Sequence, residues 1–412
     1  MKKETAHIAS TVFKESLLVE MEKELERILN FWSTKAVDEK NGGFIGQINS
    51  FGNINQQASK GAVLNARILW TFSAVYRHCG NKNYLSLATR AYNYLIQYFW
   101  DKKNGGLIWE VDCKGNPTNT RKQAYAQGFG IYAFSEYYRA GGKQDSLQYA
   151  QTLYMILEKK FKDNKYGGYV EALKCDWTPL TDMRLSPRDY NSPKSMNTHL
   201  HILEPYTNLY RVWPDKQLQN DISELIDIFL QKIIDVSSGH FNLFFDMDWS
   251  VESSIVSFGH DIEGAWLLHE AAVETRSLQP IETIQKAATM LVDSTIKDGF
   301  CDDGSVFYEK NGQLMDTDRH WWVQAEAMIG LMDAREITKD NHYLEKVVGV
   351  WRFIQQHIVD RKNGEWFWSV DSNNNPDLNE DKVGFWKCPY HNCRALTELI
   401  KRLQKQFLKE KG

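Results

Sequence analysis

The sequence predicts an all-α fold, an (α/α)6 barrel of six inner and six outer helices with short β-hairpins between the repeats. Two observations predict it: a hairpin-like segment recurs six times, and two helical segments separate each copy from the next. The copies begin at residues 38, 101, 163, 237, 297 and 361. Intervals of about 60 residues leave room for one hairpin and two helices of about 15–18 residues. We therefore expect residues 1–412 to form a single domain.

Each hairpin carries turn signals at both ends. The copy at 101–117, DKKNGGLIWEVDCKGNP, has an Asn-Gly-Gly start, alternating apolar residues and a Lys-Gly-Asn-Pro exit, which are typical of a two-stranded turn. We expect Trp109 of this copy to pack inside its hairpin, with contact to a sugar as the alternative. An aromatic residue or a leucine is predicted to anchor every copy, at Phe44, Leu107, Tyr169, Phe241, Phe300 and Trp366. The hairpins then return the chain from each outer helix to the next inner helix and form the rim of the barrel.

The two helical segments of each repeat differ in their apolar pattern. The first, as at 59–79, is rich in Ala and aromatic residues on most faces, which is typical of a buried inner helix. The second, as at 84–100, has an apolar stripe and a charged face, which indicates an outer helix. Segment 1–32 supplies the outer partner of the sixth inner helix. An open solenoid of helix pairs is the alternative, but it requires polar capping repeats, and neither end of the sequence resembles one.

The composition excludes several classes of partner. A formal net charge of −4 and the absence of a dense basic run give no reason to expect nucleic acid. The sequence contains no run of eighteen apolar residues, so we expect no membrane span. The N-terminal segment lacks the apolar run of a signal peptide, and six cysteines without a CxxC pair fit reduced thiols. We therefore expect a cytoplasmic protein, a monomer or weak homodimer, whose partner is a small-molecule substrate.

Motifs for cofactors and metals are missing from the sequence. There is no GxGxxG after a strand, no GxxxxGK[ST] and no HExxH, so dinucleotide, P-loop and zincin chemistries lack support. His199 and His201 are the one close histidine pair. Residues two apart on a helix point about 200° away from each other, so these two cannot bind one ion together. We expect an enzyme with no metal and no cofactor.

Chemically capable residues collect in the first turns of the predicted inner helices. All six inner helices begin at the same end of the barrel, so these residues are predicted to share one cavity. Helix N-termini favour anionic species and keep a nearby imidazole neutral, ready to act as a base. The residues in question are Arg67, Tyr125, His199, His201, His260, Glu263, Trp321, Trp322, Glu326, Trp386 and His391.

Two reaction classes fit such a cavity. An inverting glycosidase needs a carboxylic acid and a carboxylate roughly 6.5–9.5 Å apart. Proton transfer next to a sugar carbonyl instead needs groups that titrate near neutrality, and histidines on separate helices supply them, with Arg67 available to stabilise an enediolate. The number of histidines favours the second class, and a non-catalytic sugar-binding barrel is a further alternative. The candidates for a glycosidase pair are Asp189, Glu263, Asp316, Asp318 and Glu326.

Four segments resemble the N-acylglucosamine 2-epimerase superfamily, most closely its cellobiose-epimerising branch. They are KSMNTHLHILEPYTNLYR (194–211), GHDIEGAWLLHEAA (259–272), HWWVQAEAM (320–328) and FWKCPYHNCRALTEL (385–399). The resemblance covers essentially the whole chain and implies the (α/α)6 barrel that the repeats predict. It implies a cofactor-independent epimerase that inverts C2 of the reducing-end glucose in cellobiose, lactose and other β-1,4-linked disaccharides. A monosaccharide 2-epimerase or an aldose–ketose isomerase is the alternative within the superfamily.

The resemblance also implies roles for five residues. His260 and His391 correspond to the acid/base pair that flanks C2, one removing the proton and the other returning it on the opposite face of a cis-enediolate. Arg67 corresponds to the residue that steadies the enediolate oxygens. His201 corresponds to a third histidine that assists ring opening, whereas His199 is expected to pack behind it. Glu263 is expected to orient an imidazole.

The remaining positions implied by the resemblance contact the sugar. Trp321 and Trp322 are alternatives for one stacking platform, and we favour Trp322 because it shares a helix face with Glu326, four residues on. Trp386 is expected to provide a second platform. The full set of sugar-contacting positions is Tyr125, Asp189, Asn197, Trp321, Trp322, Glu326 and Trp386.

Overall fold

The predicted (α/α)6 barrel is confirmed by the computed structural model, which describes residues 2–276 and 278–411, with side chains described within 15–405. Twelve α-helices occur in this part of the chain, alternating between outer and inner positions. They are α1 (Lys2–Thr34), α2 (Ala62–Cys79), α3 (Lys82–Tyr94), α4 (Ala124–Arg139), α5 (Asp145–Ile156), α6 (Met196–Tyr210), α7 (Lys216–Ile228), α8 (Phe258–Thr275), α9 (Ile281–Gly299), α10 (Trp321–Thr338), α11 (His342–Phe353) and α12 (Tyr390–Lys411).

The even-numbered helices form a closed inner ring. They contact one another in chain order from α2 to α12, and α12 contacts α2. Each outer helix packs mainly on one inner helix: α3 on α2, α5 on α4, α7 on α6, α9 on α8, α11 on α10 and α1 on α12. The contact between α12 and α2 excludes the open solenoid, and α1 takes its predicted place beside the sixth inner helix.

Four outer helices end in a five-residue π-helical turn, which the sequence pattern did not predict. In each turn the first and last side chains are apolar and buried. A π-turn is wider than an α-turn, and the residue after it is extended, as Trp100 is at φ −71° and ψ 116°. The π-turn therefore ends the outer helix, and the extended residue after it begins the hairpin. The turns are Leu95–Phe99, Leu157–Phe161, Phe229–Ile233 and Ile354–Ile358.

Short strands tie each repeat to the next. They are β1 (Lys60–Gly61), β2 (Glu110–Val111), β3 (Pro117–Asn119), β4 (Lys122–Gln123), β5 (Ala172–Leu173), β6 (Lys194–Ser195), β7 (Ile234–Asp235), β8 (His240–Phe241), β9 (Phe244–Phe245), β10 (Ile255–Ser257), β11 (Glu309–Asn311), β12 (Leu314–Asp316), β13 (Arg319–His320) and β14 (Ser369–Val370). The strand before an inner helix pairs antiparallel with the next repeat's hairpin, as β1 does with β2 and β13 with β14. A bridge between Ile48 and Val383 joins the first and last repeats. The hairpins thus close a second ring where the inner helices begin.

One predicted hairpin anchor is wrong. The other five anchors pair with a residue just after the outer helix, as Leu107 does with Trp100 and Trp366 with Val359. In the fifth repeat Phe300 lies on the outer-helix side of this bridge, and its partner Val306 is the fully buried anchor. Phe300 is aromatic, like most of the other anchors, but it lies before the turn of its hairpin. The turn is at Gly304, where φ is +88°, and the anchor Val306 follows it.

Ion pairs whose basic side chain is buried, here called hairpin staples, hold five of the turns. Lys60, Lys122 and Lys194 each stand two residues before an inner helix. Their Nζ atoms donate at 2.7–2.9 Å to the aspartates that open the turns, Asp38, Asp101 and Asp163. In the fifth and sixth repeats the pairs are Arg319 with Asp303 at 3.2 Å and Lys382 with Asp360 at 2.9 Å. These staples fix each helix start against the neighbouring hairpin.

A second device, here called the hairpin clamps, fixes the anchors themselves. The fourth residue of four inner helices hydrogen-bonds the backbone of an anchor, and these clamps are Gln127, His199, Asp261 and Gln324. Gln127 accepts from the N–H of Leu107 at 2.7 Å and donates to its carbonyl at 2.9 Å. His199 accepts through Nε2 from the N–H of Tyr169 at 2.9 Å. The clamps therefore place the following turn of each helix at a common level inside the barrel.

Candidate active site

The inner helices bring predicted site residues together two positions beyond the clamps. The sixth residue of α2, α6, α8 and α10 is Arg67, His201, Glu263 and Glu326 respectively, and all four are buried. His391 projects from the start of α12 and is also buried. These charged and imidazole groups therefore lie buried inside the ring of inner helices, whereas His199, another of the predicted residues, is bonded to hairpin and helix-start backbone.

His391 is held by a carboxylate. Its Nδ1 lies 2.7 Å from Oε1 of Glu326, so Nδ1 carries the proton and Nε2 keeps a free lone pair. Burial, followed by the charges of Arg67 and Arg394, lowers the pKa of His391 well below its usual range. The ring is therefore a neutral base whose protonated form would be stabilised by an adjacent carboxylate.

His260 has a different partner. Its Nδ1 lies 2.8 Å from the hydroxyl of Ser257, and burial lowers its pKa to about 3, with His201 and Arg67 adding to the effect. The half-buried Trp322 joins the two histidines, because its ring centroid lies 4.8 Å from that of His260 and 5.7 Å from that of His391. Two neutral imidazoles thus border one indole.

The two tryptophans that were alternatives for one platform have different surroundings in the structure. Trp322 faces both histidines, whereas Trp321 is buried against Trp368, with ring centroids 4.6 Å apart, and under the Nζ of Lys387. Trp321 approaches His391 only at 6.3 Å between centroids. The structure therefore brings Trp322 to the histidines and packs Trp321 behind them.

Arg67 and its neighbours form the aromatic side of the site. Nη2 of Arg67 donates to the hydroxyl of Tyr125 at 2.9 Å, and its guanidinium lies 4.3 Å from the Phe129 ring centroid. Trp386 lies 5.9 Å from both Tyr125 and Trp109, measured between centroids. Trp109 is 4% exposed and packs against Phe385 and Trp386 of the last repeat, with ring centroids 5.0 and 5.9 Å away, rather than only inside its own hairpin.

His201 stands at a break in α6. Its φ and ψ are −86° and 16°, outside the helical range, and Pro205 lies four residues on. A proline has no N–H to donate to the carbonyl of His201, so the helix kinks there. Nδ1 of His201 lies 3.0 Å from Oε2 of Glu204, a residue that sequence reasoning missed. Burial opposes ionisation of Glu204, but Arg394 and His201 hold its pKa at about 2.

Arg394 is the second residue that sequence reasoning missed, and it lies at the centre of the charge network. Its Nη1 donates to Glu204 and to the hydroxyl of Tyr390. Its Nη2 donates to Oε1 of Glu263 at 2.5 Å and to Oε1 of Glu326 at 2.7 Å. One guanidinium therefore links the carboxylate partners of His201 and His391. The sequence does contain one indication of Arg394: it stands three residues after His391, which places the two side chains on the same face of the sixth inner helix.

Glu263 is the carboxylate of this network that titrates near neutrality. Burial, followed by the nearby charge of Glu326, raises the pKa of Glu263 to about 7. Its Oε2 is buried and has no hydrogen-bond partner among the described residues. The imidazole nearest to Glu263 is that of His391, at 3.9 Å from Nδ1 to Oε1, rather than that of His260 one turn away.

Three side chains of metal-binding type meet here. Ligand atoms of Glu263, Glu326 and His391 lie within 4.8 Å of one another. Arg394 already donates to both carboxylates, so a cation would have to displace a buried guanidinium. The same separation is shorter than the roughly 6.5–9.5 Å of an inverting glycosidase pair. This cluster suits neither a resident metal nor inverting hydrolysis.

A cavity of about 280 Å³ opens beside His260, and Asp189 and Asn197 line it. Asp189 accepts from the N–H of Ser186 at 2.8 Å, and burial raises the pKa of Asp189. The Oδ1 of Asn197 is buried and has no hydrogen-bond partner among the described residues. Both predicted sugar-contacting residues therefore border open space next to a catalytic candidate.

Comparisons with known proteins decide the family. Residues 43–395 match the family model of N-acylglucosamine 2-epimerase. The chain belongs to the N-acylglucosamine 2-epimerase family. A cellobiose 2-epimerase from Bacteroides fragilis is 46% identical over 390 residues, covering 94% of this chain and 99% of the relative. The prediction of a carbohydrate epimerase or isomerase is confirmed at this level.

Solved structures and more distant relatives agree with this assignment. The structure of a cellobiose 2-epimerase from Bacillus thermoamylovorans B4167 superposes with a TM-score of 0.91 at 39% identity, covering 94% of this chain and all of that one. A D-mannose isomerase from Marinomonas mediterranea is 24% identical, covering 93% of this chain and 97% of the relative. Among the described residues of this family member, no helix is long and apolar enough to cross a membrane.

Proposed function

We propose that this family member is a cofactor-independent 2-epimerase that converts the reducing-end glucose of cellobiose to mannose. The observation that carries the proposal is the pair of neutral imidazoles, His260 and His391, that border the ring of Trp322. The similarity to cellobiose 2-epimerases supports the choice of substrate. Lactose and other β-1,4-linked disaccharides are expected substrates for the same reason.

In the proposed mechanism the sugar ring first opens to the aldehyde, assisted by His201 and His391. One histidine then takes the C2 proton on Nε2, and the electron pair moves toward C1 to give a cis-enediolate whose oxygens face Arg67. Rotation about C2–C3 presents the other face. The second histidine, which takes up a proton from solvent water while the first holds the C2 proton, delivers that proton to C2, and release of the first histidine's proton to solvent restores the neutral pair. Each proton transfer is served by side chains of the chain, so the proposed mechanism requires no metal or cofactor.

The two histidines differ in how they carry the added proton. The imidazolium of His391 would lie against the carboxylate of Glu326 at 2.7 Å, whereas that of His260 would have only the Ser257 hydroxyl. A charged partner stabilises an imidazolium more than a neutral hydroxyl does. We therefore propose that His391 also protonates and deprotonates the ring oxygen during opening, and that His260 acts on C2 alone.

Incubation with cellobiose in D2O, followed by NMR, tests the proposal. The expected product is glucosyl-mannose with deuterium at C2, together with slow formation of the ketose, because protonation of the same enediolate at C1 gives it. Release of free glucose would support a hydrolase instead. Turnover confined to mannose, glucose and fructose would assign the chain to the monosaccharide isomerases. This alternative is tested because the relatives include a D-mannose isomerase.

A further inference from the structure

Glu171 is a buried acid that neither the resemblance nor the mechanism uses. It lies between Tyr169 and β5, is 4% exposed, and lines the 280 Å³ cavity together with Asp189, Asn197 and His260. Its backbone is fixed on both sides, because its N–H donates to the carbonyl of Pro193 and its carbonyl accepts from the N–H of Ala124. The side chain is therefore held at the cavity wall by the hairpin itself.

The two carboxyl oxygens of Glu171 differ in their surroundings. Oε2 accepts from the hydroxyl of Thr198 at 2.6 Å. Oε1 is buried and has no hydrogen-bond partner, and Glu171 has no ion pair within the described part of the chain. An unpartnered buried polar atom lowers stability by roughly 1–3 kcal/mol. A hydrogen-bonding group of a bound ligand would therefore be stabilised by contact with this oxygen.

Resting on the proposed function, we propose that Glu171 is a substrate-positioning residue that donates a hydrogen bond from Oε1 to the non-reacting sugar unit of the disaccharide. Of the two proposed C2 histidines only His260 borders the cavity, which puts the reacting ring between the histidines and the second ring beyond them. A sugar oxygen is the neutral acceptor that a protonated carboxyl needs. The residue thus contributes to selection of disaccharides over monosaccharides.

The protonation state of Glu171 supports donation. Burial raises its pKa to about 8, opposed by the hydrogen bond from Thr198 and by the nearby Ser195, and the charge of Asp189 adds to the rise. The carboxyl is therefore neutral at pH 7. The other titratable or charged groups that line the cavity are Arg184, Arg188, Asp189, Tyr190, His260, Tyr308, Glu309 and Asp316.

Steady-state kinetics with cellobiose test the inference. Glu171→Leu removes the donor and should raise KM about 5- to 50-fold, with kcat within about threefold, whereas Glu171→Gln keeps a donor and should raise KM less than about threefold. Glu158→Gln is the matched control, because Glu158 accepts from the hydroxyls of Tyr169 and Tyr206 away from the cavity. A KM for Glu171→Leu within twofold of wild type, at an unchanged unfolding temperature, overturns the inference.

A pH series gives a second measurement that does not depend on the folding of Glu171→Leu, because it compares only wild type with Glu171→Gln. Wild-type KM should rise above pH 8 as the Glu171 carboxyl ionises and loses its proton, and the KM of Glu171→Gln should not. The other cavity groups are common to both proteins, so the ratio of the two KM values isolates Glu171. A constant ratio from about pH 6.5 to 9.5 overturns the inference alone. Wild type that fails to epimerise cellobiose overturns the proposed function and the inference together.

Discussion

His199 and His201 lie two residues apart in α6 and serve different layers of the barrel. Both ring nitrogens of His199 are engaged by the backbone, Nδ1 with the carbonyl of Ser195 at 2.7 Å and Nε2 with the N–H of Tyr169 at 2.9 Å. His201 uses Nδ1 on Glu204 at 3.0 Å, and its Nε2 has no protein partner among the described residues. The first histidine is a hairpin clamp, and the second is available to a substrate.

This difference shows how the repeat divides stability from chemistry. The fourth residue of an inner helix binds a neighbouring hairpin, and the sixth, about 200° around the helix, faces the barrel axis. Gln127 and Gln324 occupy the equivalent position in their own repeats. Each accepts a hydrogen bond from the backbone N–H of its anchor, Leu107 and Val306 respectively, as His199 does from Tyr169. A residue type alone therefore does not assign a role, but its position relative to the hairpin anchor does.

The largest expected effect is at the axis-facing layer. His260→Ala and His391→Ala should each lower kcat on cellobiose at least a few hundredfold, because a general acid or base contributes ~10²–10⁴. Unfolding temperatures should stay close to that of wild type, since neither ring bonds a hairpin backbone. Initial rates by NMR and thermal unfolding measure both quantities. A near-normal rate in either variant would refute the scheme with two histidines.

The next effect is expected at Arg394, which serves both chemistry and stability. Arg394→Met leaves three buried glutamates without their shared cation, which should cost about 3–5 kcal/mol in the free energy of unfolding. Loss of this positive charge should also raise the pKa of His391, moving the acidic limb of the pH–rate profile toward higher pH. Arg361→Met, at an exposed arginine, is the control. An unshifted acidic limb would contradict the proposed link between Arg394 and His391.

The repeat was predictable because each of its signals is local. The hairpin turns, the helix pairs and the inner-helix starts can be read within about 60 residues, and they predicted that helix starts carrying Arg67, His201, Glu263 and Glu326 lie at one end of the barrel. The Arg394 network was not predictable in this way. Its contacts span 131 residues to Glu263 and 190 to Glu204, so they exist only once the ring has closed.

The same reasoning explains the smaller misses. Glu171 stands beside a hairpin strand, where its sequence neighbours say nothing about the cavity that Asp189 and Asn197 complete from another segment. Phe300 is wrong as an anchor because an aromatic residue can also follow an outer helix directly, whereas the glycine turn at Gly304 precedes the anchor Val306. For Trp321 and Trp322 the sequence provides only the helix face shared by Trp322 and Glu326, because the packing of Trp321 against Trp368 involves a distant segment of the chain.

A smaller effect is expected in the clamp layer, on stability rather than rate. His199→Gln should preserve the bond to Tyr169, as Gln127 does with Leu107, whereas His199→Ala should cost about 1–3 kcal/mol by leaving a buried N–H unpaired. Burial lowers the pKa of His199 to about 4. Its contribution is therefore fully present above about pH 6.5 and is lost as pH falls toward 4.

Urea unfolding from pH 7 to 4 checks this second point. His199→Gln should lose less stability on acidification than wild type, because it removes one histidine that must stay neutral in the folded state. His201→Gln is the contrasting variant, with activity lowered and the hairpin bond intact. Equal acid sensitivity of His199→Gln and wild type would contradict the assignment of His199 as a neutral clamp.

The smallest expected effect concerns the fourth repeat, where a histidine stands in place of a hairpin staple. His240 is buried between Asp261 and Asp298, at 2.8 and 3.1 Å. Burial disfavours its charge, but the two aspartates prevail and raise its pKa above 6.5. Its contribution to stability is then complete below about pH 6.5 and is lost as pH rises through the folded-state pKa. His240→Gln should therefore flatten the decline in unfolding free energy between pH 6.5 and 9, and an unchanged slope would show that the aspartates do not hold this proton.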